Sequence, residues 1–309
     1  MTAMTDKLAQ LNKDFSFETK SSHLLFTKGE GDIAIMEVQN EFASAVISLQ
    51  GAHVLSWIPA GEKEVIWVSD DATFAMGKSV RGGIPICWPW FGAHETNQDF
   101  PAHGFARTVL WQVVNTSLLS SGETEVTFKL APRELDERLQ KMWPWNTIAK
   151  YKITIGTTLM IELSTENHSE QTITLGQALH TYFDINDVRE TQITGLEDKE
   201  YLDKTDHFKR KIQTGSIEIN SEVDRVYLNT SDDVVINDQK RKIIIQKQGS
   251  HSTVVWNPWK EVADKMADLG HDGYLKMLCV ESANAAEDTV NIPAGESYRL
   301  SVNYKVETA

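Results

Sequence analysis

Apolar side chains recur at every second position along much of the chain, and that period decides the fold class before composition enters. The odd positions read Ile153, Ile155, Thr157, Leu159, Ile161 and Leu163, with Thr154, Gly156, Thr158 and Glu162 between them. Successive side chains of a strand point to opposite faces, so the pattern predicts an antiparallel strand with one wet face, interrupted at Met160. Tyr298, Leu300, Val302, Tyr304 and Val306 alternate with polar residues in the same way near the C-terminus. Val126, Phe128 and Leu130 predict another short strand. Val234-Val235-Ile236 and Ile243-Ile244-Ile245 flank Asn237-Asp238 and predict a hairpin with a slightly long turn.

Helical periodicity is scarce. Leu135, Leu139 and Met142 are spaced i, i+4, i+7 in the charged stretch from Arg133. A second short helix is marked by Asn257 as N-cap, Pro258 as first residue, Val262, Met266 and Leu269 as buried stripe, and Gly270 as stop. Strands recur with turn signals between them and no βαβ rhythm, which predicts an all-β, antiparallel β-sandwich with a few short helices. Without repeats or a linker-like segment, residues 1–309 read as one domain, and residues 1–14 as a loose N-terminal arm.

Composition narrows the function classes. The 309 residues are 41% hydrophobic and 24% charged, an ordinary globular balance. A net charge of −14 argues against a general binder of nucleic acid or anionic membrane, although a small anion needs only a local basic pocket. The two cysteines, Cys87 and Cys279, lie far apart in apolar contexts and read as buried thiols in a reducing compartment. The polar start of the chain lacks a signal-peptide core, and no apolar run is long enough to span a bilayer. A soluble, cytoplasmic, monomeric protein is the expectation.

Five segments carry polar residues that a plain sandwich core would not want. In the run from Arg81 to Gly92, Gly82-Gly83 allows close backbone approach, and Arg81 is suited to clamping a carboxylate or phosphate. Trp88 and Trp90 read as packing residues rather than ligand contacts. His103-Gly104-Phe105-Ala106-Arg107, if extended, points His103 and Arg107 to one face together with Phe105. Between Ala178 and Phe183, strand parity puts His180 and Tyr182 on one face and gives Leu179 and Phe183 to the core. Between Met277 and Ser282, Glu281 shares a face with Cys279 and Met277, and such a carboxylate must be paired or hold a raised pKa. Asp224-Arg225 reads on its own as a surface ion pair of little worth. The nine histidines show neither His-x-His nor His-Glu-x-x-His spacing, which argues against zinc.

Taken in order, these segments resemble the aldose 1-epimerase (galactose mutarotase) superfamily, and most closely its hexose-6-phosphate mutarotase (glucose-6-phosphate 1-epimerase) branch. The resemblance also rests on Gly51-Ala52-His53-Val54-Leu55, Val223 to Tyr227, Val255 to Trp259 and Cys279 to Ala283, and so spans roughly Gly51 to Ala283. It implies a large antiparallel β-sandwich of the galactose mutarotase type. It also implies interconversion of the α and β anomers of a hexose 6-phosphate, most simply glucose 6-phosphate, as the small-molecule partner. By the same resemblance His180 matches the general acid and Glu281 the general base. Asp224 and His103 match sugar-binding positions, and Arg81 and Arg107 the phosphate-binding pair. No cofactor or metal is implied, because an acid and a base suffice to open and reclose the ring. A mutarotase for free aldoses, and a non-catalytic sugar-phosphate-binding protein on the same fold, are the alternatives.

Overall fold

The alternation around Ile153 folds as a hairpin rather than one long strand in the computed structural model, which describes residues 3–308. Strand Thr147–Ile155 turns at Gly156 into strand Thr158–Asn167, and Ile155 pairs with Leu159 and Ile153 with Ile161. Odd residues face odd residues across this turn, so the apolar set stays on one side. Ile153, Ile155, Leu159, Ile161 and Leu163 are all fully buried.

Among the described residues the strands form four antiparallel sheets. The largest has nine strands, with the long C-terminal strand Ser297–Thr308 near its centre between Arg241–Gln248 and Thr158–Asn167. An eight-stranded sheet faces it, ordered Lys209–Ile212, Glu200–Asp203, Val223–Leu228, Ser252–Asn257, Met277–Asn284, Gln177–Leu179 and Ile86–Cys87. Its eighth strand, Tyr182–Asp184, pairs with Met277–Asn284. A five-stranded sheet runs from Phe17 to Pro59, and Ile173–Leu175 pairs with Val290–Ile292. The main core contains Ile153, Ile161, Leu300 and Tyr304 from the nine-stranded sheet, packed with Leu179, Phe183, Leu278 and Val280 from the eight-stranded one. This is the antiparallel sandwich that the period of two requires.

Four local expectations need correction. The N-terminal arm is not loose: Ala3–Phe15 is an α-helix whose Leu8, Leu11 and Phe15 pack against the core. Asn12 pins it, donating to the Phe26 carbonyl at 2.7 Å and accepting from the Phe26 amide at 2.8 Å. Met1 and Thr2 lie outside the described residues. The hairpin turn falls at Gln239-Lys240, because strand Val234–Asp238 continues through Asn237 and Asp238. Asp238 is buried there, accepting from the backbone amide and side chain of Asn186 and from Arg241. The helix after Asn257 ends early, at Trp259–Ala263, and a separate short helix follows at Gly273–Lys276. Asn257 does brace this segment: its side-chain Oδ1 accepts from the Trp259 amide at 2.9 Å while its NH2 donates to the Tyr274 and Met277 carbonyls. In the charged stretch the helix is Glu137–Met142, capped by Asp136, and leaves Leu135 outside it.

Candidate active site

Strand Met277–Asn284 serves two masters. Leu278 and Val280 enter the main core, so by parity Met277, Cys279 and Glu281 face the opposite side of the eight-stranded sheet. On that outer face lie two smaller apolar clusters. One holds Trp67, Tyr182, Leu269 and Cys279, the other Cys87, Ala178, Val226 and Val254. A cleft of about 270 Å³ opens on the same face, and His180, Glu281, Arg81, His103, Arg107 and Asp224 all line it. The six residues nominated from sequence therefore meet in one place.

His180 sits where the strand breaks, between Gln177–Leu179 and Tyr182–Asp184. Its amide donates to the Pro85 carbonyl at 3.0 Å, and the Tyr182 amide donates to the Gly83 carbonyl at 3.0 Å. The Arg81-to-Gly92 loop thus holds the break in place. The His180 ring stacks on Tyr182 at 4.9 Å and meets Trp256 edge-on at 6.0 Å. Its Nε2 lies 3.4 Å from Oε1 of Glu281, whose side chain is only 1% exposed. His180 Nδ1 and Glu281 Oε2 are buried with no hydrogen-bond partner among the described residues. Such groups are rare in folded proteins unless something else satisfies them, so each is available to a ligand.

Burial pushes the Glu281 carboxyl well above its ordinary range, with Lys204 opposing the shift and Asp224 adding to it. Burial also pushes His180 well below its ordinary range, and His103 and Arg107 push it the same way. His103 falls to about 3, through burial and then the positive charges of Arg107 and Lys204. The cleft therefore disfavours charge on both members of the His180–Glu281 pair when nothing is bound.

The basic side chains differ in their commitments. Arg81 Nε donates to Asp268 at 3.2 Å, and its NH1 donates to the Tyr182 hydroxyl at 3.2 Å. Arg107, on the short turn Ala106–Thr108, donates to the Ala102 carbonyl at 3.0 Å. It has no carboxylate partner among the described residues, which leaves it the freest positive charge in the cleft. Gly82-Gly83 behaves as its sequence suggests. Gly83 has φ +74°, and a Cβ there would lie 2.2 Å from His53 Nε2, which bonds the Gly82 carbonyl at 2.8 Å.

Two sequence expectations reached residues of the cleft by a local geometry that the structure does not have. The 103–107 segment is not extended: His103 is left-handed, with φ +65°, and Phe105 turns into the main core. His103 still enters the cleft, its ring against Phe91 at 4.8 Å and 5.7 Å from His180. Asp224 and Arg225 are not an ion pair with each other. Asp224 pairs with Lys204 at 2.6 Å inside the cleft, whereas Arg225 lies over the Tyr201 ring at 4.9 Å. Trp88 and Trp90 are packing residues, bonding Thr165 and the Pro101 carbonyl through their indole N–H groups. Lys204 was missed. It lies in the charged run Asp203-Lys204-Thr205-Asp206, which reads as solvated surface and offers no apolar neighbour to mark a pocket.

Comparison with known proteins identifies the family and agrees with the fold. Residues 35–305 match the family model described as Aldose 1-epimerase. An Escherichia coli (strain K12) protein named "Putative glucose-6-phosphate 1-epimerase" is 38% identical over 259 residues, covering 83% of this chain and 85% of that one. A protein of the same name from Cenchrus ciliaris is 35% identical over 266 residues, covering 82% of this chain and 79% of that one. The crystal structure of a "putative mutarotase" from Salmonella typhimurium superposes with a TM-score of 0.85 at 30% identity, covering 98% of this chain and all 100% of that one. Galactose 1-epimerase from Lactobacillus acidophilus NCFM shares the fold at a TM-score of 0.72 and 14% identity, covering 94% and 100% of the two chains. The chain belongs to the aldose 1-epimerase family.

Proposed function

We propose that this protein interconverts the α and β anomers of a hexose 6-phosphate, glucose 6-phosphate first among them, with Glu281 as general base and His180 as general acid. The observation that carries the reading is a buried carboxyl and imidazole, 3.4 Å apart, each with an unpartnered polar atom, in a cleft that two arginines also line. The names of the relatives support a phosphorylated hexose as substrate. So does charge: in a chain whose acidic side chains outnumber its basic ones, Arg81 and Arg107 both line this cleft. Two free, buried cysteines support a reducing, cytoplasmic setting.

The chemistry balances within the pair. Glu281 takes the proton of the C1 hydroxyl as His180 delivers one to the ring oxygen, and the C1–O5 bond breaks to give the open-chain aldehyde. Rotation about C1–C2 presents the other face of the carbonyl, and the two proton transfers run backward to close the other anomer. The pair carries one proton throughout. Before ring opening it is an ion pair, and after opening it is a neutral acid beside a neutral imidazole. Burial favours the neutral arrangement, which lowers the energy of the open-chain complex relative to the closed one. Asp224 and His103 bind sugar hydroxyls, and Arg81 and Arg107 hold the phosphate away from the reacting carbon.

The test is anomer exchange by NMR on glucose 6-phosphate and on free glucose and galactose. His180→Asn and Glu281→Gln should each lower the rate by a factor on the order of 10²–10⁴ with the fold intact. A near-wild-type rate in either variant removes that residue from the mechanism. Arg81→Ala and Arg107→Ala should lose phosphosugar activity far more than free-sugar activity, and equal losses would instead favour a free-aldose mutarotase.

A further inference from the structure

The eight-stranded sheet places one more charged side chain against the reacting pair. Leu202, Val226, Val254 and Glu281 are successive cross-strand partners, so they form one row on the cleft face. Asp224 lies in the next row, opposite Trp256, which is in turn opposite Cys279. Lys204 follows Leu202 by two residues, at the start of the turn Lys204–Asp206 just past the strand's end, and it lines the cleft. There it binds Asp224 at 2.6 Å, with both side chains largely withdrawn from solvent. An ion pair that merely decorated the surface would have no reason to line the same cleft as a buried carboxyl.

We propose that Lys204 is a positioning residue of this site: its ammonium clamps Asp224 toward the sugar and compensates the charge that Glu281 must carry to act as a base. This rests on the acid–base reading above and extends it. Of the charges acting on Glu281, Lys204 is the strongest that opposes the effect of burial. Arg107 acts in the same direction and Asp224 against it. Arg81 is the other charged group lining the cleft, and it is paired with Asp268. With nothing bound, burial and positive charge disfavour the protonated forms of His180 and His103, and burial keeps the Cys87 and Cys279 thiols and the Tyr182 and Tyr304 phenols protonated. Lys204 and Asp224 therefore form a matched couple whose removal as a unit changes the net charge over Glu281 far less than removal of either member.

That matching makes the proposal testable. Lys204→Met takes a positive charge from the cleft, so protons bind the His180–Glu281 pair more tightly and the pH profile of kcat/KM should move up by about one unit. Lys204→Arg keeps the charge and should keep the profile. Lys204→Met/Asp224→Asn should return the profile toward wild type while leaving KM raised, because the sugar contact of Asp224 is lost. A direct readout free of turnover is the ¹³C carboxyl titration of Glu281, which should rise in Lys204→Met and return in the double variant. An unmoved titration, or a KM increase confined to phosphorylated sugars with the profile unchanged, would overturn the proposal and make Lys204 a phosphate ligand. Absence of anomer exchange in the wild type would overturn the functional reading alone, since the carboxyl titration still reports on Lys204.

Discussion

A histidine kept neutral by burial makes stability depend on pH in a direction that can be worked out. His53 is fully buried behind Gly83, donates from Nε2 to the Gly82 carbonyl, and is pushed down to about 4, chiefly by burial. Unfolded, its pKa returns to about 6.5. Between those values the unfolded chain binds a proton that the folded one refuses, so the stability from neutral His53 is present above pH about 6.5 and is lost as pH falls toward 4. The loss approaches about 1.4 kcal/mol per pH unit. Urea denaturation of wild type and His53→Gln across this window should show their stability difference shrinking as pH drops. A constant difference would mean that His53 is already charged in the fold. The same scale explains what could be read of the site in advance. His180 and Glu281 follow from strand parity, because a polar residue out of phase with core neighbours must face elsewhere. His103 and Arg107 were reached through an extended segment that does not exist, since His103 and Gly104 both take positive φ and Gly104 packs on the Trp88 carbonyl. Lys204 left no trace, because its role depends on a strand register that brings Asp224 beside it.

Gly104 ties these side chains to an element. It has φ +71°, and a Cβ there would lie 1.9 Å from the Trp88 carbonyl oxygen, which accepts from the Phe105 amide at 3.1 Å. Backbone rather than a movable side chain blocks the space, so the segment carrying His103 and Arg107 must shift if the glycine is replaced. Gly104→Ala should cost roughly 3 kcal/mol or more and reduce activity through both residues. Gly61→Ala provides the control, because Gly61 also has positive φ, +83°, but nothing within 4 Å. Its cost should be only the left-handed penalty, about 1–2 kcal/mol, with activity unchanged. Equal melting temperatures for the two variants would show that the Trp88 contact does not constrain the loop. Elements were otherwise legible in proportion to their length. The strands at 147–167 and 297–308 announce themselves because many side chains repeat one parity. The Gln239-Lys240 turn does not, since Asn237-Asp238 carries the usual turn chemistry and only the buried partners of Asp238 keep it in the strand. The N-terminal helix is hidden for a related reason: its apolar stripe is thin, and the Asn12 bonds to Phe26 that dock it are long-range.

At the scale of the whole molecule, the charge of −14 and the basic cleft work against each other. A sugar phosphate approaching from solution meets a repulsive field until it is within about a Debye length, roughly 10 Å at 0.1 M salt, of the few cations that face it. Arg81 is already neutralised by Asp268, and Lys204 by Asp224, so among the described residues Arg107 alone offers uncompensated positive charge in the cleft. Added salt screens the long-range repulsion first, because the contacts within the partly buried cleft are short and less exposed to counterions. Between about 20 mM and about 300 mM salt, kcat/KM for a phosphosugar should therefore hold steady or rise modestly. For a free hexose it should not change. An enzyme that steers its anionic substrate by a positive mouth shows the opposite, a steep fall with salt. Stopped-flow or NMR exchange rates on both substrates across that range decide the matter. A steep fall confined to the phosphosugar would mean that the cleft's own field reaches further than its one unpaired arginine allows.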